Sequence, residues 1–258
     1  GDDVIFLTCL QDLIDLGYKP IVECDSRMID LFKRSFNGIE VREALYRVEY
    51  PHDSPYQDFD CHLPMGSLMT HFRPSLLEFQ DKSGAYLKVD SSNYELWQSR
   101  LQGLGTSKRL IGINWRGGLS DAVGQLKYSK LMDWSYLIQS DEFEFVSLQF
   151  GECEEEIQQA ENAFGIKIHR WQDLDLKDDI DDLCALIANL EQVVTISSSV
   201  WTFSAALGVK TNLLLSSPHW TMFDQTEIPF FSSVKCFCTK DHQSITELLP
   251  EVKVHLMT

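Results

Sequence analysis

The sequence predicts an α/β protein built from two Rossmann-like, doubly wound domains that face each other. Three observations favour this fold class. Short apolar segments rich in β-branched residues alternate with amphipathic segments, one amphipathic segment stands alone between two such series, and the 258 residues exceed the ~100–200 of a typical domain. We expect an N-terminal domain at 1–90, a connecting helix at 91–107 and a C-terminal domain at 108–258. A ligand is expected where strands end and helices begin.

The first series begins with a helix, because apolar residues recur at helical spacing in "DDVIFLTCLQDLIDLG" and Gly17 is a natural C-terminal cap. Then "KPIVEC" is typical of a strand, "DSRMIDLFKRSFNG" of a helix capped by Asp25 or Ser26, and "IEVRE" of a second strand. The segment "DFDCHLPMGSLMTHFRP" predicts a short strand, a turn and a short helix. A parallel α/β unit normally begins with a strand. We therefore expect the first strand of this domain to be missing and the chain to be part of a longer protein.

The connecting helix is "SSNYELWQSRLQGLG", with a capping box from Ser92 to Glu95. The second series runs from strand "RLIGINW" through a helix at about 128–138, strand "FEFVSLQF", helix "ECEEEIQQAENAFG", strand "IKIHRW" and helix "DDIDDLCALIANL". It continues with strand "QVVTIS", helix "SVWTFSAALG", strands "KTNLLLS" and "SVKCFC", and helix "SITELLPEVKVHL". This order predicts the second doubly wound sheet.

The composition excludes several classes of partner. A net charge of −17 disfavours nucleic-acid binding, and no apolar run approaches the roughly 20 residues that cross a bilayer. The seven scattered cysteines are typical of reduced thiols, so we expect a cytoplasmic protein without disulfides. No cysteine or histidine spacing predicts a metal site. The acidic residues that crowd between 141 and 191 predict solvated helix faces.

Three serines in "VVTISSSVWTFSAALG" stand where a predicted strand meets a helix. Ser197, Ser198 and Ser199 can cap the free N–H groups of the first helical turn. The same N–H groups, with the helix dipole, form an anion site. Capping needs only one hydroxyl, whereas a phosphate cradle explains the other two. Both interpretations stay open.

A second strand end, "GINWRGG", leads directly into Arg116, Gly117 and Gly118. The glycines let backbone N–H groups approach a ligand, and Arg116 adds a fixed positive charge. Lys127 follows a few residues later and can reach the same phosphate. The alternative is a glycine turn with surface-exposed cations.

The remaining candidates have structural explanations of similar weight. Asp2 and Asp3 begin the first helix, where a carboxylate acts as a cap or as a catalytic base. Trp220 follows a strand and either stacks on a base or sugar ring or packs in the core. His62, close to Gly66, is structural or catalytic.

The chain as a whole resembles the glycosyltransferase region of bacterial tetratricopeptide-repeat proteins. That region is itself similar to the heptosyltransferases, which are GT9-like enzymes with a GT-B fold. The stretches that carry the resemblance are "GDDVIFLTCLQDLIDLGYKPIVECDSRMIDLFKRSF", "FDCHLPMGSL", "HFRPSL", "IGINWRGG", "FVSLQFGEC" and "LCALIANLEQVVTISSSVWTFSAALG". Several long blocks in the same order are more specific than any single motif.

The resemblance implies metal-independent transfer of a sugar, without a cofactor, from a nucleoside-diphosphate sugar to a glycan, protein or lipid acceptor. It also implies an N-terminal repeat region in the same protein. The implied roles are general base for Asp2; donor diphosphate binding for Arg116, Gly117, Gly118, Lys127, Ser197, Ser198 and Ser199; nucleotide or sugar contact for Gln149 and Trp220; and an acceptor-side loop for His62, Gly66 and Ser67.

A second interpretation is a catalytically silent GT-B-like binding or scaffolding module. Thr202 stands where many of the resembling proteins have a histidine, and "LSDAVGQLK" contains Lys127 as its only basic residue in a stretch that is usually rich in them. Nucleotide binding without consumption of a donor sugar distinguishes this module from a transferase.

Overall fold

The computed structural model describes residues 1–45, 56, 58–117, 129–240 and 243–257. Within these residues the chain is an α/β protein with two parallel sheets, one of two strands and one of six. The smaller sheet lies within residues 1–90, here called the N-terminal lobe, and the larger one within residues 108–258, the C-terminal lobe. The exact domain boundaries and the expected missing strand stay predictions.

The N-terminal lobe contains two parallel strands with helices around them. The strands are β1 (Ile21–Cys24) and β2 (Glu40–Glu43), and the helices are α1 (Asp2–Phe6), α2 (Leu10–Asp15), α3 (Ile29–Ser35) and α4 (Leu68–Phe72). A 3₁₀ turn, Leu7–Cys9, interrupts the single helix that the sequence predicts at the start. The Asp25 side chain accepts a hydrogen bond from the backbone N–H of Arg27, which confirms it as a cap.

Two local predictions were wrong. Residues 58–63, where a short strand was expected, form no strand, because Arg42 of β2 reaches Asp58 with its side chain, at 2.8 Å, while the described small sheet has no ladder beyond β1 and β2. The connecting helix α5 (Ser91–Gln102) is capped by Asp90, whose side chain accepts from the N–H groups of Ser92 and Asn93. The expected capping residue, Ser92, lies inside the first turn instead.

The C-terminal lobe is a six-stranded parallel sheet with the strand order β5-β4-β3-β6-β7-β8. Its strands are β3 (Arg109–Asn114), β4 (Phe143–Ser147), β5 (Ile168–His169), β6 (Gln192–Ile196), β7 (Lys210–Leu215) and β8 (Val234–Cys238). Its helices are α6 (Ser135–Ile138), α7 (Glu154–Phe164), α8 (Ile180–Ala188), α9 (Ser199–Ala206) and α10 (Leu249–Leu256). The strand order reverses between β3 and β6, and ligands of doubly wound sheets bind at the carboxyl ends of the strands at this point.

The two lobes share a hydrophobic core. One cluster of buried residues joins α1 and β1 to α8 and α9, on one face of the large sheet. A second cluster, on the other face, contains residues of α6, α7 and α10. The N-terminal lobe therefore packs on the face of the large sheet that α8 and α9 cover.

Part of the acidic run makes ion pairs that link the two lobes. Arg34 of α3 pairs with Asp181, and Arg27 lies 3.2 Å from Asp178. The Arg100 guanidinium of α5 donates to Asp173 at 2.6 Å. The side chains of Asp173 and Asp178 are each 61% exposed, as expected for solvated carboxylates, whereas that of Asp181 is 27% exposed because Arg34 packs against it.

None of the helices formed by the described residues combines the length and the apolarity needed to cross a bilayer.

Candidate functional site

Asn114 connects the loops at the point where the strand order reverses. It is the last residue of β3 and fully buried, and its Nδ2 donates to Gln149 Oε1 at 3.0 Å. Its Oδ1 accepts from Ser198 Oγ at 2.7 Å and from Thr195 Oγ1 at 3.1 Å. One amide thus holds the segments that follow β3, β4 and β6 together. Sequence reasoning missed it, although an asparagine that ends an apolar strand is a signal.

The side chain of Gln149 is buried and its polar atoms are engaged with the protein. It is 2% exposed, and its Oε1 also accepts from the backbone N–H groups of Trp115 and Arg116, at 3.2 and 3.0 Å. Its Nε2 donates to the carbonyls of Arg116 and Phe150 at 3.1 and 3.2 Å. Gln149 therefore shapes the loop after β3, and its expected contact with a nucleotide or sugar stays a prediction.

The three serines have different environments at the start of α9. Ser198 is the cap, since its Oγ accepts from the backbone N–H of Val200 at 3.3 Å while donating to Asn114. Ser199 is exposed and Ser197 is partly exposed. Within the described part of the chain, neither of these two hydroxyls takes part in a hydrogen bond. One serine caps the helix, and two hydroxyls remain available to a ligand.

Arg116 is held against the first turn of α7. Its Nε lies 3.3 Å from Glu156 Oε2, and a terminal nitrogen donates to the carbonyl of Glu152. Glu156 also accepts from Trp115 Nε1 at 3.0 Å and from the backbone N–H of Leu131 at 2.7 Å. Sequence reasoning missed Glu156, because no local pattern shows that a carboxylate in an acidic helix pairs with a residue 40 positions earlier.

Gly117 lies beside the end of β6, since a Cβ added to it would be 3.9 Å from Ile196 Cδ1. The loop after β3 is thus next to the serines. Gly118 and Lys127, the two remaining residues of the expected diphosphate site, lie outside the described residues.

The first turn of α1 meets the first turn of α9. A Cβ added to Gly1 would lie 3.6 Å from Thr202 Oγ1 and 3.8 Å from Ser199 Cα. Asp2, the next residue after Gly1, is exposed. The structure therefore brings the expected base close to the expected diphosphate site.

Asp3 is a second carboxylate in the same turn, and it is partly buried. Burial raises the pKa of Asp3, and the neighbouring carboxylates of Asp2 and Asp25 raise it further. Asp25 follows β1, so Asp3 faces the carboxyl end of the small sheet. A carboxylate with a raised pKa holds a proton more readily than a free one, which is a property of groups that transfer protons.

Trp220 lies beside Phe6, the last residue of α1, whereas Ser199 lies beside Gly1, which precedes this helix. Its indole is 49% exposed and lies 5.8 Å from the Phe6 ring and 5.8 Å from the His219 ring, between centroids. Gly66 packs against Phe6, because a Cβ at Gly66 would lie 3.2 Å from that ring. The structure thus brings Trp220 and the acceptor-side turn together through Phe6.

The other acceptor-side candidates lie in or before that turn. Ser67 follows Gly66, and its backbone N–H donates to the carbonyl of Pro64 at 2.8 Å. His62 is exposed, and its ring lies 6.0 Å from that of Phe59. The roles of Ser67 and His62 stay predictions.

A cavity of about 910 Å³ opens at the carboxyl ends of β4 and β5. Its walls are Ser147, the segment from Gln149 to Ile157, Gln159, and the segment from Arg170 to Lys177. Arg170 donates to Glu154 and Glu161 and, by its hydrogen bond, lowers the pKa of Glu154 to about 2. Acidic residues outnumber basic ones in the wall of the cavity, which adjoins the Gln149 loop.

Comparison with known proteins gives relatives in sequence and in fold. No model of a protein family matches the chain. Protein FlbA of Caulobacter vibrioides is 29% identical over 252 residues, which cover 94% of this chain and 42% of FlbA. The chain thus spans less than half of the length of this curated relative.

Two solved glycosyltransferases are similar over nearly the whole chain. The family 9 glycosyltransferase from Veillonella parvula has a TM-score of 0.52 and 14% identity, with coverage of 97% of this chain and 78% of that one. E. coli heptosyltransferase WaaC, solved with ADP-2-deoxy-2-fluoro heptose, has a TM-score of 0.53 and 10% identity, with coverage of 98% and 95%. At these identities the likeness shows the fold, which is GT-B-like.

Proposed function

We propose that the chain binds a nucleoside-diphosphate sugar between its lobes and transfers the sugar to an acceptor hydroxyl. The observation that carries this proposal is the contact between α1 and α9. Gly1, which precedes the exposed residue Asp2, lies next to a helix N-terminus where the hydroxyls of Ser197 and Ser199 make no hydrogen bond with the described residues. A proton acceptor and an anion site side by side are what displacement of a diphosphate leaving group requires.

The donor diphosphate is proposed to bind at the first turn of α9. The backbone N–H groups of this turn and the two serine hydroxyls can donate hydrogen bonds to an anion, and Gly117 lies nearby. The helix dipole also favours negative charge there. The nucleoside is proposed to enter the cavity of about 910 Å³ next to the Gln149 loop. The ADP-sugar analogue bound to E. coli heptosyltransferase WaaC supports this class of donor.

The proposed step is a direct displacement at the anomeric carbon. Asp2 takes the proton of the acceptor hydroxyl while the new C–O bond forms and the bond to the diphosphate oxygen breaks. The electron pair of that bond leaves with the diphosphate, whose charge the N-terminus of α9 stabilises. N–H groups and hydroxyls are proposed to stabilise the negative charge of the diphosphate, so we include no metal ion in the step. Asp3, with its raised pKa, is the second candidate base.

The test of donor binding is thermal denaturation in the presence of ADP, UDP, GDP or CDP. A nucleotide at 100 times its dissociation constant stabilises the folded state by about 2.7 kcal/mol. The double variant Ser197→Ala/Ser199→Ala removes the free hydroxyls and leaves the Ser198 cap in place. The loss of a hydrogen bond to a charged group costs about 1.5–3 kcal/mol, or at least about tenfold in affinity.

The matched control is Ser91→Ala/Ser92→Ala, which removes two exposed serines from the first turn of α5. We expect unchanged nucleotide affinity in this control. Equal affinities in both double variants would refute the diphosphate site. Turnover is then tested with the sugar form of the nucleotide that binds, and Asp2→Asn is expected to abolish transfer while nucleotide binding persists.

One observation favours the second candidate, a binding module without catalysis. The guanidinium of Arg116 donates to the Glu156 carboxylate and to the backbone carbonyl of Glu152, so the carboxylate partly compensates its charge before a ligand arrives. If a nucleotide binds but no donor sugar is consumed with any of a panel of acceptor glycosides, the module replaces the transferase as the function.

A further inference from the structure

Trp220 is a half-exposed indole that other aromatic rings hold in place. Phe6 and His219 lie 5.8 Å from it, and Phe230 lies at 6.3 Å in an edge-on arrangement. The turn Trp220–Met222 is followed by Phe223 and Asp224, both with positive φ, at 47° and 59°. Left-handed conformations at two successive residues other than glycine are uncommon, and such strain is concentrated at functional sites. The indole is thus presented in a fixed orientation with about half of its surface open.

The proposed base, Asp2, and Phe6, which contacts the indole, lie on the same face of α1. Asp2 and Phe6 are four residues apart in α1, so their side chains share one face of the helix about one turn, or ~5.4 Å, apart. Phe6 in turn contacts the indole. Along this line an exposed carboxylate is followed by an aromatic surface of about the width of one sugar ring.

The position of Trp220 separates it from the proposed nucleoside site. The walls of the cavity beside the Gln149 loop come from residues 147–159 and 170–177 and include neither Trp220 nor the rings of Phe6, His219 and Phe230 that lie around it. The Phe6 ring of α1 contacts Trp220 and packs against the turn at Gly66, whereas the link from Trp220 to α9 runs through the His219 ring, which lies 6.0 Å from the Trp201 ring. Trp220 is therefore in direct contact with the helix that begins at Asp2.

We infer that Trp220 and Phe6 form an acceptor subsite that binds the apolar face of a neutral pyranose ring. The indole stacks on the C–H groups of the ring, and the carboxylate of Asp2 accepts a hydrogen bond from the hydroxyl that receives the donor sugar. An acidic sugar is disfavoured because Asp2 and Asp3 lie nearby and the chain carries a net charge of −17. This inference rests on the proposed function, of which it specifies the acceptor class.

The test is saturation-transfer NMR with methyl β-D-glucopyranoside, methyl β-D-galactopyranoside and methyl 2-acetamido-2-deoxy-β-D-glucopyranoside. Methyl β-D-glucopyranosiduronate is the acidic comparison. Each is added to the whole chain, with and without the nucleotide selected by thermal denaturation. We expect transfer to the ring protons of at least one neutral glycoside and about tenfold weaker binding by Trp220→Ala. Trp220→Phe keeps a ring and is expected to retain part of the binding.

The matched control is Tyr136→Ala. Tyr136 is 56% exposed and lies in α6, which packs against α10 on the far face of the large sheet. Glycoside binding that is lost in Trp220→Ala and kept in Tyr136→Ala supports the subsite. Three outcomes overturn it: no neutral glycoside binds, Trp220→Ala binds glycosides normally, or Trp220→Ala loses nucleotide binding instead. Failure of the proposed function is separate, because it appears as absent nucleotide binding in the unmodified chain.

Discussion

Glu156→Gln tests whether one carboxylate fixes both sides of the loop that follows β3. Oε2 of Glu156 accepts from Trp115 Nε1 and Arg116 Nε, and Oε1 accepts from the backbone N–H of Leu131. The side-chain amide of glutamine has only one oxygen. In one orientation its NH₂ group faces the donors Trp115 Nε1 and Arg116 Nε, and in the other it faces the backbone N–H of Leu131, so the acceptor at that position is lost. The pair with Arg116 is only partly buried, with side chains 23% and 22% exposed.

The magnitude follows from these contacts. One lost hydrogen bond to a charged group costs about 1.5–3 kcal/mol, and a partly exposed ion pair adds no more than about 1 kcal/mol. We expect the free energy of unfolding to fall by about 2–3 kcal/mol. For a chain of this size that corresponds to a decrease of about 4–12 °C in the melting temperature.

The assay is urea denaturation followed by tryptophan fluorescence, with Glu155→Gln as the matched control. Glu155 is exposed, lies in the same turn of α7, and accepts no hydrogen bond from the described residues. We expect a change below about 0.5 kcal/mol in the control. An equal, small effect of both substitutions would show that the Glu156 contacts do not anchor the loop. A nucleotide titration of Glu156→Gln then measures how strongly the carboxylate opposes the charge of Arg116.

Two further predictions concern the site. Burial raises the pKa of Asp3 in the folded chain, so folding is favoured while the carboxyl is protonated and loses stability as the pH rises through the raised pKa. Asp3→Asn is therefore expected to increase the melting temperature at pH 7 and to lose this advantage below about pH 4, and a pH-independent difference would contradict this. Asn114 and Ser198 share a 2.7 Å hydrogen bond, so their alanine substitutions are expected to be non-additive by about 1 kcal/mol in a double-mutant cycle. Additive effects would show that the bond contributes nothing.

The order of helices and strands was largely predictable, because each element has its own local period of apolar residues. The capping role of Asp25 is confirmed, and it was predictable because its partner, the backbone N–H of Arg27, is only two positions away in the sequence. The strand expected at residues 58–63 failed because a strand depends on its neighbour, and local alternation carries no information on that neighbour. The fold class, α/β with parallel sheets, could be predicted from the alternation of segments with helical spacing and segments with strand spacing of apolar residues.

The site was predictable to the extent that it lies at strand ends. The three serines were found in this way, but their division into one cap and two free hydroxyls depends on Asn114, which is 84 residues distant from Ser198. The pairing of Phe6 with Trp220 was also not predictable. The spacing in the first helix assigns Phe6 to a buried face, and nothing local indicates that a tryptophan from the other lobe lies beside it.

The tight packing of Gly66 has a mechanical consequence. At 3.2 Å from the Phe6 ring, even one added methyl group forces the ring to move by a few tenths of an ångström. Phe6 is the last residue of the short helix that begins at Asp2, so any residue larger than glycine at position 66 presses on the end of that helix. We therefore expect a substitution at Gly66 to disturb the contact between this turn and α1, although the turn carries none of the proposed catalytic groups.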